Sequence, residues 1–353
     1  MRIIIGMGHP KDVHFWKNTI NNLKKDGHEV KIVAWEKDIT LYLLNIYGFK
    51  YEIIGKSYKE LMKKTYGMLK NDFKLLKIVK KFKPDILTHE ISLAHVSRLI
   101  GKQYIGFFDT EHATITQWLL FPFSDIICTP SCFKKKISAK KHVKYNGYSE
   151  LAYLHPNYFK PDSSVLDGLG LNKADRFIII RFVSWGATHD IGQRGFIDKE
   201  KLVKELENYG RVFITSEQKL SKNLEKYKIT ILPEKMHDLL YYATMYIGEG
   251  ATMASEAAVL GTPAIYVNTQ RLGYLDEEEE RYGLVFNFSD PKTAQEQAIK
   301  KAIELLDDKE LKNKWKKKRE RLLKEKIDVT AWMTDFIEKF PENFRNQKEN
   351  KVI

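Results

Sequence analysis

The 353-residue chain has only two cysteines, Cys128 and Cys132, which excludes a disulfide-built scaffold and leaves too few thiols for a cysteine-rich zinc site. Long apolar runs are also missing, and none reaches the roughly 20 residues that a membrane-spanning helix needs. The N-terminus shows no basic segment followed by a long apolar stretch, so we expect no signal peptide. These absences favour a cytoplasmic protein.

Acidic residues are scarce in the first half. Residues 1–160 have 27 Lys and Arg against 14 Asp and Glu, whereas the remaining residues have 32 of each. The whole net charge of +13 therefore belongs to the first half. Such an excess favours an acidic partner, and without a motif for RNA or DNA binding we expect a phosphorylated substrate or anionic lipid rather than nucleic acid.

Short β-like runs alternate with amphipathic helical stretches, which is typical of parallel sheets with crossover helices. The strands are predicted at residues 2–6, 29–34, 51–54, 86–88, 104–108, 125–128, 176–183, 212–215, 230–232, 245–248, 264–267 and 284–288. The helices are predicted at residues 15–25, 58–82, 293–306 and 311–326. Prolines and glycines at 155–170 indicate a linker, so we expect two doubly wound halves with the ligand cleft between them.

The sharpest chemical signal is a glycine-flanked loop that leads from a strand into an Ala-rich helix. Gly248 and Gly250 allow the backbone to turn sharply and to approach a ligand closely. Thr252 is placed to cap the helix, whose free N–H groups and dipole favour a phosphate. Glu256, four residues later, can accept two hydrogen bonds from a sugar diol. The alternative is a tight turn with a small-residue packing face.

Two loops in the first half carry candidate acid–base groups. The first follows the first strand and contains Asp12 and His14; a neutral imidazole can take a proton from an acceptor hydroxyl, and Asp12 can orient it. The alternative is that the histidines of this loop only cap the loop and the helix. The second loop, residues 109–112, follows a buried strand and is polar throughout, beyond what a helix cap requires.

Other features are less specific. Arg181 ends a strand, and its guanidinium can pair with a diphosphate. The acidic run 276–280 is typical of a solvated helix start, although Asp276 can reach a sugar hydroxyl if the preceding loop folds over the donor. The lysine-rich helix at 59–83 can lie on an anionic membrane, but such helices more often pack on their own sheet with lysine in water, and we prefer that interpretation.

Several motifs together resemble known families. Residues 248–265 resemble the nucleotide-sugar site of GT-B glycosyltransferases, including MurG-like enzymes, and of the non-hydrolysing UDP-N-acetylglucosamine 2-epimerases, which share that fold. From residue 1 to about 335 the chain is similar to DUF354, an uncharacterised, mostly archaeal family of predicted glycosyltransferases. The motifs that carry this likeness are at residues 8–16, 27–30, 108–113, 248–256, 273–277 and 282–284.

The resemblance implies a GT-B α/β fold: a Rossmann-like acceptor domain at 1–160, a nucleotide-sugar domain at 161–326, and a segment at 327–353 that crosses back to the first domain. It implies a glycosyltransferase that needs no metal or other cofactor and takes its sugar from an NDP-sugar, most simply a UDP-sugar. The positive charge of the first half predicts an acidic or lipid-linked acceptor, and peripheral contact with the inner membrane surface stays open. The implied catalytic residues are His14, Glu111, Asp12, Asp109 and His112. The implied substrate-binding residues are Gly8, His9, Arg181, Gly248, Glu249, Gly250, Ala251, Thr252, Glu256 and Asp276.

Two alternatives stay open. The first is an NDP-sugar 2-epimerase, in which Glu111 matches a catalytic glutamate of the resembled enzymes. Those enzymes use a further carboxylate a little downstream, where this chain has Gln117, and this difference weakens the epimerase interpretation. The second alternative is a non-catalytic protein that binds nucleotide sugars.

Overall fold

The computed structural model describes residues 1–56, 61–184 and 195–344. The chain forms two compact units, of which the first comprises Met1–Tyr153 together with the segment from Ile327 onward, and the second comprises Leu154–Lys326. Within the described ranges, no helix combines the length and the apolar character that crossing a bilayer requires.

Twelve strands and thirteen α-helices are described, and both are numbered in chain order. The strands are β1 Arg2–Met7, β2 Glu29–Glu36, β3 Tyr51–Lys56, β4 Ile86–Thr88, β5 Gln103–Phe107, β6 Ile126–Pro130, β7 His142–Tyr145, β8 Phe177–Phe182, β9 Arg211–Ser216, β10 Met245–Gly248, β11 Ala264–Val267 and β12 Val285–Phe288. The helices are α1 Pro10–Lys25, α2 Asp38–Ile46, α3 Leu61–Phe82, α4 Ile91–Ile100, α5 Thr114–Leu120, α6 Leu151–Leu154, α7 Lys199–Leu206, α8 Met236–Tyr242, α9 Ala251–Leu260, α10 Gly273–Glu277, α11 Ala294–Leu306, α12 Leu311–Glu325 and α13 Val329–Glu338.

The first unit is built on a seven-stranded parallel sheet with the order β3-β2-β1-β4-β5-β6-β7. The chain steps outward from β1 in one direction and from β4 in the other. Because crossovers between parallel strands are right-handed, α1 and α2 cover one face of the sheet, and α3, α4 and α5 cover the other. The central strand β1 is buried on both faces: Ile3, Ile4 and Ile5 are fully inaccessible.

The second unit has a five-stranded parallel sheet with the order β12-β11-β10-β8-β9. The predicted α/β class with two parallel sheets is confirmed. The predicted strand at 230–232 is wrong: Lys228 makes one isolated bridge to Ile214, and Leu232 is 56% exposed immediately before a 3-10 turn, Pro233–Lys235. A parallel strand requires burial on both faces, which this stretch does not receive. The sequence patterns also missed β7.

Helix α1 begins five residues earlier than predicted, because the loop before it forms a capping box. The Nδ1 atom of His9 accepts a hydrogen bond from the Lys11 N–H at 3.2 Å, and the Asp12 carboxylate accepts one from the His9 N–H at 2.7 Å. Pro10 occupies the first helical turn, where its missing N–H costs nothing. The helix ends at Lys25, and Gly27 follows with a φ of 87°, a conformation that favours glycine.

The acidic run 276–280, expected on a solvated face, is partly internal. Glu278 is fully buried and accepts a hydrogen bond from Ser255 Oγ at 2.6 Å. Asp276 is 4% exposed and pairs with Arg271 at 2.6 Å. Lys326 Nζ lies 2.7 Å from Glu277 Oε2. These carboxylates therefore hold α10 and the turn after it to their neighbours within the second unit, because a buried charge needs a partner.

Helix α13 completes the first unit by packing on α1. The Ile327 N–H donates to the Asn146 carbonyl at 3.0 Å, and Thr330 Oγ1 donates to the Ala152 carbonyl at 2.6 Å. Met333 is fully buried, and its sulfur lies 3.9 Å from Thr19 Oγ1 on α1. The apolar face of α13 therefore forms part of the core of the first unit.

We predict that Met333→Ala lowers the free energy of unfolding of the first unit by about 2–5 kcal/mol, because it leaves a cavity between α1 and α13. Denaturant unfolding followed by Trp fluorescence measures the change. Ala331→Ser, at an exposed position on the same helix, is the matched control. Equal stabilities of the two variants would contradict this account of α13.

Candidate functional site

The end of β1 and the loop after it pack against the residues that follow β4, with no space for side chains at Gly6 and Gly8. A Cβ atom on Gly8 would lie 1.8 Å from Glu90 Oε1, and one on Gly6 would lie 2.6 Å from the His89 carbonyl oxygen. His89 and Glu90 themselves have positive φ angles, 58° and 83°. Non-glycine residues held in this conformation are costly and cluster at functional sites.

Lys11, in the first turn of α1, joins three segments of the first unit. Its Nζ atom lies 2.7 Å from Asp109 Oδ2 after β5 and 2.9 Å from Glu150 Oε1 after β7. Burial alone would lower the pKa of Lys11, but the two carboxylates raise it above its usual range. Burial would likewise raise the pKa of Asp109, yet Lys11 and further hydrogen bonds hold it well below its usual range. Both groups therefore stay charged at neutral pH.

Asp12 faces His89 rather than His14, so the expectation that it orients His14 is wrong. Its Oδ1 atom lies 3.0 Å from His89 Nε2, while Oδ2 accepts hydrogen bonds from the backbone N–H groups of Gly8 and His9. Burial opposes the charged imidazole, but the neighbouring Asp12 carboxylate raises the pKa of His89 above its ordinary value. The carboxylate thus fixes the orientation of the ring and increases its basicity.

Glu90, the chain neighbour of His89, is a third titratable group beside Asp12 and His89. Burial, reinforced by the nearby Asp12 carboxylate, raises its pKa to about 7, despite the opposing charges of His89 and Lys37. Near neutral pH, Glu90 can therefore hold or release a proton, whereas Asp12 remains ionised because its pKa is lowered by His89 against the effect of burial.

A cavity of about 60 Å³ opens beside these groups. Its lining consists of charged or polar side chains on one side and three phenylalanines on the other: Lys11, Asp12, His89, Asp109, Ser149, Phe15, Phe107 and Phe108. Fixed charges, a carboxylate–imidazole pair and an apolar wall together can bind a polar group and move a proton from it.

His14 lies further along α1 in an aromatic environment. It is 7% exposed, its Nδ1 atom is 3.3 Å from Tyr47 Oη, and its ring centroid is 5.6 Å from that of Tyr153. His9 is exposed and serves as the N-cap of α1, as the simpler interpretation of this loop expected. The structure therefore brings Asp12, not His14 or His9, into the cavity lining.

The polar loop 109–112 is held in place by Gln117, whose Nε2 atom donates to the carbonyls of Thr110 at 3.1 Å and Glu111 at 2.8 Å. The Glu111 carboxylate accepts a hydrogen bond from the Lys134 N–H at 3.1 Å. His112 lies next to the helix start, and its carbonyl accepts from the Thr114 N–H at 2.7 Å. The N-cap of α5 is Ala113, so Asp109 and Thr110 do not cap the helix.

In the second unit, α9 begins directly after the glycine loop that follows β10. Its N-cap is Gly250, with no side-chain hydrogen bond, and Thr252 lies inside the first turn. The expectation that Thr252 caps this helix is therefore wrong. The backbone N–H groups of Ala251 and Thr252 lie in the first turn of the helix, where no intrahelical acceptor exists. The positive end of the helix dipole adds to their attraction for an anion.

Arg181, the residue before the end of the neighbouring strand β8, lies against this loop. A Cβ atom on Gly248 would lie 2.4 Å from Tyr246 Oη and 2.9 Å from Arg181 Cβ, so only glycine fits. The Arg181 guanidinium pairs with Glu217, which also accepts hydrogen bonds from the backbone N–H and the hydroxyl of Ser184. A cation and a helix N-terminus thus occupy the carboxyl ends of two adjacent strands.

Glu256, which the sequence predicts to bind a sugar diol, is less accessible than a surface carboxylate. It is 7% exposed, and its Oε1 atom lies 2.9 Å from Nε2 of the buried His237. Glu249 is 1% exposed and accepts hydrogen bonds from the N–H groups of Val183 at 2.9 Å and Phe196 at 2.8 Å. Its carboxylate therefore holds the segments after β8 and before α7.

The residues missed by sequence patterns are Lys11, His89, Glu90, Glu150 and His237. A signal existed for two of them: His89 and Glu90 directly follow the predicted strand 86–88, at the strand end where parallel-sheet sites form. Lys11 and Glu150 carried no such signal, because their role follows from a contact between residues that are far apart in the chain. The polar stretch at 185–190, which follows β8 in the sequence, lies outside the described residues.

The sequence model of one protein family, described as "Protein of unknown function (DUF354)", matches residues 1–333. An uncharacterised protein of Methanocaldococcus jannaschii is 25% identical over 287 residues, which cover 77% of this chain and 83% of that protein. The resemblance to DUF354 is thereby confirmed.

Solved structures share the fold. The UDP-GlcNAc 2-epimerase of Neisseria meningitidis, bound to UDP-GlcNAc, superposes with a TM-score of 0.64 at 12% identity, covering 89% of this chain and 94% of that chain. The spinosyn rhamnosyltransferase SpnG, complexed with spinosyn aglycone, gives 0.59 at 12% identity, covering 95% and 99%. At this identity the likeness shows the fold alone, and it confirms the predicted GT-B architecture.

We predict that Glu90→Gln flattens the pH dependence of stability. In the folded chain the pKa of Glu90 is raised to about 7 from its ordinary value of 4.5, so the free energy of unfolding falls as pH rises through this window. Between about pH 5 and pH 8 the wild type should lose about 2–3 kcal/mol more than the variant. Denaturant unfolding at both pH values measures this loss. Glu52→Gln, at an exposed position on β3, is the control, and identical pH profiles for wild type and Glu90→Gln would contradict the assignment.

Proposed function

Because the chain belongs to the DUF354 family and has the GT-B fold, we propose that it is a glycosyltransferase that moves a sugar from an NDP-sugar to an acidic or lipid-linked acceptor. The observation that carries this proposal is the uncapped N-terminus of α9 beside Arg181 in the second unit. These two features offer backbone N–H groups and a guanidinium to one diphosphate, which is the common part of every NDP-sugar.

The donor binds the second unit. Its diphosphate takes the N–H groups of the first turn of α9 and draws Arg181 from Glu217, since a doubly charged ligand competes well with one carboxylate. The ribose hydroxyls donate to Glu256, which can keep its contact with His237, because a carboxylate has about four acceptor positions. Asp276 remains a candidate acceptor for a sugar hydroxyl. As the bond to the sugar breaks, Arg181 and the helix N-terminus stabilise the departing diphosphate without a metal.

The acceptor binds the first unit, which carries the positive charge of the chain and the cavity lined by Lys11 and His89. Asp12 holds the His89 imidazole, and the imidazole takes the proton of the acceptor hydroxyl as the new glycosidic bond forms. We prefer His89 to His14 and Glu111 as the base, because His89 lines the cavity and has an orienting carboxylate. Lys11 offers a fixed positive charge to an anionic acceptor.

Epimerisation of an NDP-sugar at its second carbon is the other candidate, favoured by one observation. The first unit holds a second proton carrier, Glu90, beside the Asp12–His89 pair, and epimerisation needs an acid and a base on the same sugar. NMR of the chain incubated with UDP-GlcNAc alone separates the two functions, since an epimerase forms its product without an acceptor and a transferase does not.

We predict that Arg181→Gln weakens UDP binding about ten- to hundredfold, because it removes a charge-assisted hydrogen bond to phosphate. Calorimetry with UDP, UDP-glucose and UDP-GlcNAc measures the loss, and a thermal-shift panel with other nucleotide diphosphates identifies the preferred base. Arg321→Gln, which removes an exposed arginine of the same unit, should bind like the wild type. Equal affinities of both variants would exclude Arg181 from the donor site.

We predict that His89→Gln slows transfer of the sugar from bound UDP-sugar to water or to a supplied acceptor about a hundredfold or more. The release of UDP measures this rate, and the affinity for the donor should stay unchanged. The pH–rate profile should also lose the rise in rate with pH that deprotonation of the imidazole produces on its acidic limb. His28→Gln, in the same unit and paired with Glu338, is the matched control. Full activity of His89→Gln, combined with loss of activity in His14→Gln or Glu111→Gln, would assign the base to one of those residues instead.

A further inference from the structure

The helices on one face of the first sheet leave large apolar side chains in solvent. Phe73 on α3 is 70% exposed, Leu99 on α4 is 73% exposed, and Ile115 and Trp118 on α5 are 61% and 79% exposed. Single exposed apolar residues are ordinary, but four on one helical layer indicate a surface that is covered in use. We call these four residues and the helices that carry them the α3–α5 face.

The three helices of the α3–α5 face meet around His95. Its Nδ1 atom lies 3.4 Å from Asp72 Oδ2 on α3, and its Nε2 atom lies 3.0 Å from the Leu119 carbonyl on α5. Phe73 and Trp118 are the chain neighbours of these two partners, and Leu99 lies one helical turn after His95 on the same side of α4. These contacts place α3, α4 and α5 side by side, so their exposed apolar residues share one helical layer.

The charge on this face is almost entirely positive. Among the described side chains of α3, α4 and α5, the one acid is Asp72, whose carboxylate faces His95. The bases are Lys70, Lys74, Lys77, Lys80, Lys81 and Arg98. Lys134, exposed after β6, lies beside the loop that precedes α5, because its N–H donates to the Glu111 carboxylate. Exposed Trp, Phe, Leu and Ile surrounded by lysine match the interfacial region of a bilayer, where rings and alkyl groups enter the headgroup layer and lysine contacts lipid phosphate.

We propose that the α3–α5 face docks the protein on an anionic lipid bilayer. The face is connected directly to the cavity, because α5 follows the loop that begins with Asp109, and Gln117 on α5 fixes that loop through the carbonyls of Thr110 and Glu111. A bilayer in contact with Trp118 is therefore linked to the cavity through α5 and the loop that Gln117 holds. The proposal stands apart from the proposed reaction, because lipid binding needs neither a donor nor turnover.

The first measurement is co-sedimentation of the full chain with vesicles of phosphatidylcholine alone and with about 30% phosphatidylglycerol. The chain should bind the anionic vesicles and leave the neutral ones largely free. Binding should weaken as salt rises from about 0.01 M to 0.15 M, because the Debye length shrinks from about 30 Å to about 8 Å.

Matched variants then test the face itself. The double variant Ile115→Ser, Trp118→Ser should bind anionic vesicles at least about tenfold more weakly, whereas Ile197→Ser, Leu232→Ser, with comparable exposure in the second unit, should bind like the wild type. Replacing Lys70, Lys77 and Lys81 by Gln should lower the binding constant about fivefold per lysine at low salt. The same change at Lys312, Lys316 and Lys317 on α12 should have little effect.

Three outcomes overturn the proposal. The first is equal binding to neutral and anionic vesicles, or binding to neither. The second is a loss of binding in the second-unit controls as large as in the α3–α5 variants. The third is a dimer in sedimentation velocity that Trp118→Ser dissociates, because the face would then be covered by a second copy of the chain. Circular dichroism of each variant verifies that the fold is retained, so a misfolded variant is replaced by the single change Trp118→Gln.

Discussion

The buried contact of Lys11 with Asp109 and Glu150 is the interaction on which the candidate site of the first unit depends. One ammonium group joins the segments that follow β1, β5 and β7, and thereby fixes three loops at the same edge of the sheet. Removing one partner of such a cluster leaves the other charges buried without compensation, which costs several kcal/mol in proteins, roughly 3–5. The cluster therefore gives the loops one arrangement and prevents alternatives.

The backbone near this cluster is also tightly packed. The end of β1 and the loop after it approach the residues after β4 so closely that Gly6 and Gly8 have no room for a Cβ atom. His89 and Glu90 take a conformation that non-glycine residues rarely adopt. This strain is compensated by Asp12, which binds two backbone N–H groups and the His89 ring together. Carboxylates thus fix the loops at this edge of the sheet, and the His89 imidazole lines the small cavity.

In the second unit, buried carboxylates hold the segments around the glycine loop in place. The buried Glu249 accepts hydrogen bonds from two distant backbone segments, and the buried Glu278 binds Ser255 on α9. These contacts hold the glycine loop and the start of α9, while the terminal N–H groups of that helix are left without a side-chain cap. Glu249 and Glu278 are structural in this unit, whereas Arg181 and the helix N-terminus supply the positive potential that an anionic ligand requires.

Local chemistry in the sequence by itself determined the α/β class, most strand positions, the glycine loop before α9 and the one-sided positive charge, because hydrophobic alternation, glycine conformations and side-chain charge are properties of short segments. It also marked residues 109–112 as polar beyond the needs of a cap. Only the tertiary structure decided the partners: Lys11 meets Asp109, 98 residues away, and Asp12 meets His89 instead of His14. The sheet order β3-β2-β1-β4-β5-β6-β7 does not follow the chain order, so the loops that become neighbours, and with them the buried charges that must be paired, are set by topology. Packing likewise decided the burial and contacts of Thr252, Glu249 and Asp276. Their residue types alone suit a helix cap or a ligand contact.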